Sequence, residues 1–297
     1  MQKDKIVAME LREKAYAKLN LGLDVLRRME NGYHELLTVM QSVSLCDEIR
    51  LRLGGGESIT ASTNLKYLPR GEKNLAVRAA LLFFNRTGLP LQGGEIEIVK
   101  NIPVGAGMAG GSSDAAAVLR ALNRAFKANL SRSQLEEMAL ELGSDVPFCV
   151  AGGTALCRGR GEIMTQLPPM PRCWVVVCKP SFSISTPELF SLISCSKIKI
   201  RPDMDGIVKG IERGDLTQIA RRIYNVFEDF LPPQYSEVRV IKSKLINLGA
   251  LGASMTGTGS AVYGLFDCHD GARSAYDALR RQYHECFIAV TTEKLEL

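Results

Sequence analysis

Three short stretches carry residue types that could move a phosphoryl group. In "AYAKLNLG", Lys18 and Asn20 fall on one face of an alternating pattern, with their Cα atoms roughly 6.5–7 Å apart by strand rise. In "GSDVPF", Asp145 follows a helix end and precedes Pro147. Between them, "NIPVGAGMAGGSSDAAAVLRALN" (101–123) sets four glycines, Gly105, Gly107, Gly110 and Gly111, just ahead of a helical pattern. Closely spaced glycines let backbone amides converge, and a helix start adds unpaired N–H groups and about half a positive charge, so the loop suits a phosphate. An aspartate can take the proton of an attacking hydroxyl, and a nearby ammonium helps the forming alkoxide. Each feature alone also has a plainer reading: a solvated strand lysine, an aspartate that shapes a turn, a structural glycine turn. Together they point to phosphoryl transfer to an alcohol.

Two better-known glycine loops do not fit. Gly105, Gly107 and Gly110 match G-x-G-x-x-G, but a dinucleotide site needs a β-α-β unit with an acidic residue about 20 positions on. Here the helix is followed by another helix, opened by the capping box Ser131-x-x-Gln134. A Walker loop needs G-K-[ST], and residues 111–113 are Gly-Ser-Ser.

The elements that must position these residues follow from periodicity. "KAYAKLNLGLDVL" reads as a strand with Leu19, Leu21, Leu23 and Val25 on one face and Lys18, Asn20, Gly22 and Asp24 on a polar face that could line a site. "EIRLRL" (48–53) reads as a strand, "GGGES" as a turn, and "SITAS" as a returning strand. A helix runs through "KNLAVRAALLFFNRTG", from Asn74 to Gly88; "GEIEIVKNIP" is a strand stopped by Pro103. Ser112 or Ser113 is expected to cap the helix after the glycine loop. "SDVPFCVAGGTALCRGRGE" reads as loop, short strand, glycine turn and strand. The prolines of "QLPPMPR" mark a boundary, giving domains 1–166 and 167–297. Beyond it come a strand "CWVVVCKP", a loop "SFSISTPELF", helical segments to about residue 249, the strand-turn-strand "GASMTGTGSAVYGLF", a helix "GARSAYDALRRQ" and a strand "CFIAVTTE". This order reads as α+β.

Composition narrows the class. At 297 residues, two domains are expected. A net charge of +5 without a basic run longer than a doublet fits a small anionic substrate, and neither a nucleic acid nor a membrane partner. The eight cysteines include no C-x-x-C, and His34, His269 and His284 form no ligand spacing, so neither a disulfide framework nor a metal site is expected. The apolar runs fall far short of the roughly 18–20 residues of a membrane span, and the charged start lacks a signal-peptide core, so the expected location is the cytoplasm.

At this point the motifs resemble a family. "IPVGAGMAGGSSDAA" resembles the phosphate loop of the GHMP kinases, and "MTGTGSAVYGLF" resembles their C-terminal glycine-rich motif. "AYAKLNLGLDVLRRMENGYHEL", "GSDVPF" and "STPELF" resemble the branch of the family that acts on a diphosphocytidyl ester of methylerythritol, in the non-mevalonate route to isoprenoids and terpenoids. The motif order spans nearly the whole chain.

The resemblance implies an α+β, two-domain architecture: a ribosomal-protein-S5-like, ATP-binding N-terminal domain and a ferredoxin-like C-terminal domain, with the substrate between them. It implies a transferase that uses ATP as cosubstrate, with Mg²⁺ carried on the ATP, and phosphorylates the substrate's 2-hydroxyl. By motif position, Lys18 and Asp145 would be the catalytic pair and Asn20 a substrate contact. Tyr33 and His34 would read the cytidine end, with Phe190 as an opposing aromatic face. Asn74 and Lys100 would fall near the adenosine. Pro103, Val104, Gly105, Ala106, Gly107, Met108, Ala109, Gly110, Gly111, Ser112 and Ser113 would surround the ATP phosphates. Family loops often carry leucine and glycine where this chain has Met108 and Ala109. Met for Leu conserves volume, and alanine at 109 implies a backbone that does not need positive φ. Two alternatives stay open: a GHMP kinase for another small alcohol such as homoserine or mevalonate, or a silent relative that binds a nucleotide or sugar.

Overall fold

The computed structural model describes residues 9–54, 56 and 58–296, so the turn expected at "GGGES" lies partly outside the described residues. Two 20-residue strands, β1 (Met9–Arg28) and β2 (His34–Leu53), form a long antiparallel hairpin. The hairpin turn is short: Met29 N–H donates to the Tyr33 carbonyl at 2.7 Å, and Asn31 Oδ1 accepts from Tyr33 N–H at 3.1 Å. The pairing register shifts between Tyr16 and Lys18 and again between Asn20 and Gly22. Such irregularities re-aim side chains next to a site.

β3 (Ile59–Thr63) does not return against β2. It runs parallel to β4 (Gly94–Val99), which lies between them and pairs with Glu48–Leu53 of β2. The first half of β2 pairs with β5 (Thr154–Gly159), which pairs with β6 (Ile163–Gln166). On this sheet pack α1 (Leu75–Thr87), α2 (Gly110–Ala125), α3 (Arg132–Leu140) and α4 (Val146–Ala151). Their apolar faces share one core with Ile49, Leu51, Ile96 and Ile98 of the strands. The caps of α1 and α3 fall as expected: Asn74 accepts from Ala76 N–H, Gly88 adopts φ 68°, and Ser131 and Gln134 complete a capping box. α4 corrects the reading of a short strand, because Pro147 sits in its first turn, where proline favours a helix start.

The second sheet is wholly antiparallel. It contains β7 (Trp174–Lys179), β9 (Gly252–Met255), β10 (Val262–Phe266) and β11 (Glu285–Val290), in the order β11-β7-β10-β9. Taken in chain order this is 4-1-3-2, the pattern of a β-α-β-β-α-β ferredoxin-like unit. Between β7 and β9 come α5 (Thr186–Leu192), α6 (Met204–Arg213), α7 (Leu216–Ala220), a two-residue β8 (Tyr224–Asn225) and α8 (Glu237–Asn247); α9 (His269–Leu279) precedes β11. α5 corrects the reading of "STPELF" as loop, again with a proline in the first turn.

The segment 167–173 links the sheets, yet the two halves are stitched together. β8 extends the first sheet parallel to β1, and Thr291 and Lys294 bridge to Val43 and Gly152. A shared core joins Ala17, Leu19 and Leu21 of β1, Val175 and Val177 of β7, Tyr263 of β10, and Met108 of the glycine loop. Among the described residues no helix is long and apolar enough to cross a membrane.

Candidate active site

The register shifts of β1 turn Lys18 and Asn20 into the interior, where they are 4% and 1% exposed. The expected polar face is therefore buried, which excludes the reading of Lys18 as a solvated lysine. A buried ammonium needs partners. Lys18 Nζ donates to Asn20 Oδ1 at 2.7 Å and lies 3.8 Å from Asp145 Oδ2. Asp145 occupies the N-cap of α4 without capping it, so its carboxylate is free to face the cleft.

Asn20 is the hub. Its amide donates to Thr38 Oγ1 at 2.8 Å, and its Oδ1 also accepts from Gly257 N–H at 2.9 Å. Its own N–H donates to Thr256 Oγ1 at 3.2 Å, and its carbonyl accepts from the Tyr263 hydroxyl at 2.8 Å. These bonds fix the amide against Lys18. Sequence reasoning identified the "MTGTGS" motif but gave no role to Thr38, Thr256 or Gly257.

The glycine loop alternates in backbone hand. Gly105, Gly107 and Ala109 have φ of 64°, 75° and 59°, which cups the loop. At Gly107 a Cβ would sit 2.1 Å from the Thr256 carbonyl oxygen, so only glycine fits. Ala109 overturns the expectation that it avoids positive φ: it is the left-handed N-cap residue of α2. That position costs an alanine about 1–2 kcal/mol. Buried Met108 pins the loop to the core, and the Lys18 N–H donates to its carbonyl at 3.2 Å. The expected serine cap is also corrected. α2 starts at Gly110, so Ser112 and Ser113 lie in its first turn, and the Ser113 hydroxyl donates to the Tyr16 carbonyl at 2.7 Å.

One cleft of about 1090 Å³ gathers these groups. Lys18, Asn20, Tyr33, His34, Asn74, Lys100, Asp145, Phe190 and the loop from Pro103 to Ser112 all line it; Ser113 does not. Its volume is at the upper limit of ordinary ligand pockets, which run to about 1,000 Å³. At one end His34 and Phe190 stack, with ring centroids 5.2 Å apart, and the Arg160 guanidinium lies 4.9 Å from the Tyr33 ring centroid. Burial, with the nearby Arg28 charge, pulls His34 below its ordinary value, so it presents one donor and one acceptor at neutral pH. At the other end Lys100 pairs with Asp47, and with Asp114 at 2.7 Å. Burial alone would push its ammonium down, but the two carboxylates outweigh it and hold it above the usual range. Sequence reasoning missed Arg160 and Asp47, neither of which stands in a recognisable motif; Asp114 ends the glycine-loop motif, where the sequence suggests only that its carboxylate, like the Ser113 hydroxyl, could touch the Mg²⁺ carried on ATP.

The sequence matches the family model of the GHMP kinase N-terminal domain over residues 74–153 and that of the C-terminal domain over residues 207–285. It is 43% identical over 280 residues to the 4-diphosphocytidyl-2-C-methyl-D-erythritol kinase of Caldicellulosiruptor saccharolyticus, covering 94% of this chain and 96% of that protein. The chain belongs to the GHMP kinase family. A second GHMP kinase of that name, from Clostridium botulinum, is 41% identical, covering 94% of this chain and 99% of the relative. A crystal structure of 4-(cytidine 5'-diphospho)-2C-methyl-D-erythritol kinase superposes with a TM-score of 0.79 at 34% identity, covering 94% of this chain and 98% of that one. The homoserine kinase of Cytophaga hutchinsonii shares the GHMP kinase fold, with a TM-score of 0.74 at 21% identity, covering 99% of this chain and 97% of that one.

Proposed function

We propose that the chain is a cytoplasmic enzyme that transfers the γ-phosphoryl group of ATP to the 2-hydroxyl of 4-diphosphocytidyl-2-C-methyl-D-erythritol, a step of non-mevalonate isoprenoid synthesis. The observation that carries this reading is the Lys18–Asp145 pair, set in one cleft between a cupped glycine loop and the His34–Phe190 stack.

The cupped loop and the α2 N-terminus hold the ATP phosphates through backbone N–H groups, without a reorganisation cost at the moment of reaction. Asn74 and Lys100 border the adenosine side. His34 offers its donor and acceptor to the cytosine edge, while Tyr33 and Phe190 flank the base faces. That anchors the methylerythritol end beside Asp145, with Asn20 as a further contact. Asp145 takes the hydroxyl proton as the oxygen attacks the γ-phosphorus and the bond to the ADP oxygen breaks. Lys18, locked by Asn20, stabilises the negative charge on the attacking and transferred oxygens. Among the described residues no group of three or more His, Cys, Asp or Glu side chains could hold a metal ion. Mg²⁺ carried on the nucleotide would neutralise phosphate charge. The cleft separates two domains, taken as 1–166 and 167–297.

Coupled detection of ADP with a panel of alcohols tests the substrate. Turnover is expected with the cytidylyl substrate; turnover with homoserine or mevalonate in its place would overturn the assignment, and ATP binding without turnover on any of them would mark a silent relative.

A further inference from the structure

The α2 end of the cleft holds a charge cluster that the phosphoryl transfer does not use. Lys100 follows β4, Asp47 lies on β2, and Asp114 sits just past the first turn of α2. The Lys100 ammonium meets one oxygen of each carboxylate. Asp47 uses its other oxygen to accept from the N–H groups of Asn101 and Ile102, at 2.6 and 2.7 Å. Asp114 has no such second partner: its Oδ1 is buried without a hydrogen bond. One cation thus faces two carboxylates, and the side chains of Lys100, Asp47 and Asp114 are 5%, 0% and 7% exposed. An excess buried negative charge is costly, and the ordinary relief is a proton.

The cluster borders the nucleotide end of the cleft. Lys100 and Asp114 both line it, and a Cβ on Gly110, the first residue of α2, would lie 3.3 Å from Lys100 Nζ. The α2 N-terminus favours an anion on the loop and also favours an ionised Asp114. A polyphosphate on the loop competes for that field and adds negative charge beside a carboxylate that already lacks a full set of partners.

We propose that Asp114 is a proton-accepting positioning residue of the nucleotide subsite: when polyphosphate binds the loop, its carboxylate takes up a proton from solvent. The bound anion then faces a neutral Asp114 and a charge-balanced Lys100–Asp47 pair. The inference rests on the nucleotide reading of the loop. The charged groups that act on Asp114 are Lys100, after β4, and Asp47 on β2. Burial, opposed by Lys100 and helped by Asp47, pushes its carboxyl up to about 7, so a small further rise changes its protonation at neutral pH.

The test is calorimetric titration of the whole protein with ADP in buffers of different ionisation enthalpy. For a further rise of about one unit, wild type should take up about half a proton per ADP near pH 7.5 and almost none near pH 5.5 or 9.5. Asp114→Asn should bind ADP with that uptake removed; ADP's own titration is common to both proteins and cancels in the difference. Equal uptake by wild type and variant, or none by wild type, overturns the proposal. If Asp114→Asn does not fold, Asp47→Asn replaces it: removal of the neighbouring negative charge should move the uptake maximum to lower pH, and an unmoved maximum overturns the proposal. Failure of ADP to bind at all removes the nucleotide reading itself, whereas binding without uptake removes the proton step alone.

Discussion

Lys18 Nζ lies 3.8 Å from Asp145 Oδ2, although one residue comes from the first strand and the other from the N-cap of α4. The contact exists because Asn20 locks the ammonium from behind, at 2.7 Å, and because Asp145 spends no hydrogen bond on its own helix. Asp145→Asn keeps the shape and removes the proton acceptor. It is expected to lower kcat by about 10²-fold or more while leaving both KM values close to wild type, as steady-state kinetics would register. Near wild-type turnover would remove Asp145 from the role of base.

Asn20 is expected to matter for folding as well as for turnover. Its truncation to alanine strips partners from Lys18, Thr38 and Gly257, of which Lys18 and Thr38 are buried. A loss of about 1–3 kcal/mol in unfolding free energy should accompany a fall in kcat, measured by denaturant titration and initial rates. Full activity at unchanged stability would contradict the hub assignment.

Ala109 holds a left-handed conformation at the start of α2. Ala109→Gly should relieve it and stabilise the chain by about 0.5–1 kcal/mol, net of the greater flexibility of glycine in the unfolded state. Thermal unfolding of the two proteins side by side would reveal the gain, and a lower melting temperature for the glycine variant would argue against strain at this residue.

How much of this was legible in the residues alone differs by element. β1, β4, α1 and α3 were readable because alternation or caps mark them, and the order of the glycine motifs carried the fold. α4 was not: "VPFCVA" is a short apolar run, compatible with strand or helix by periodicity, and only the position of Pro147 tips it. The start of α2 was misread because two serines outrank alanine as caps, whereas loop geometry, set by Met108 in the core and Thr256 against Gly107, decides the boundary. The burial of Lys18 was likewise hidden. It depends on Asn20 and on the start of α4, which brings Asp145 to the ammonium, a contact between distant parts of the chain. Asp47 had no local signal, and the pairing of Asp114 with Lys100, although Asp114 ends the glycine-loop motif, exists only where β2, β4 and α2 meet.

The aromatic end should govern substrate affinity. Phe190→Ala is expected to raise KM for the cytidylyl substrate about tenfold, in line with base stacking worth about 1–3 kcal/mol, with KM for ATP little affected. A rise confined to ATP would reverse the assignment of the two ends.

His34 supplies a pH signature. Its depressed pKa, caused by burial and then by Arg28, keeps the imidazole neutral above its ordinary 6.5 and for some distance below it. Protonation replaces the acceptor with a second donor, so affinity for the cytidylyl substrate should be level from about pH 8 to about pH 6.5 and fall only as pH drops further. The check is KM for that substrate across this range; affinity that improves on acidification would contradict the neutral-imidazole reading.

The central claim is the transfer itself, and ³¹P NMR of the products of one reaction tests it most directly. With ATP, Mg²⁺ and 4-diphosphocytidyl-2-C-methyl-D-erythritol, a new phosphomonoester resonance should grow in step with ADP, with the diphosphate of the cytidylyl group intact, and should grow at least about 10²-fold more slowly with Asp145→Asn. ADP accompanied only by inorganic phosphate, or no ADP at all from folded protein, would contradict it.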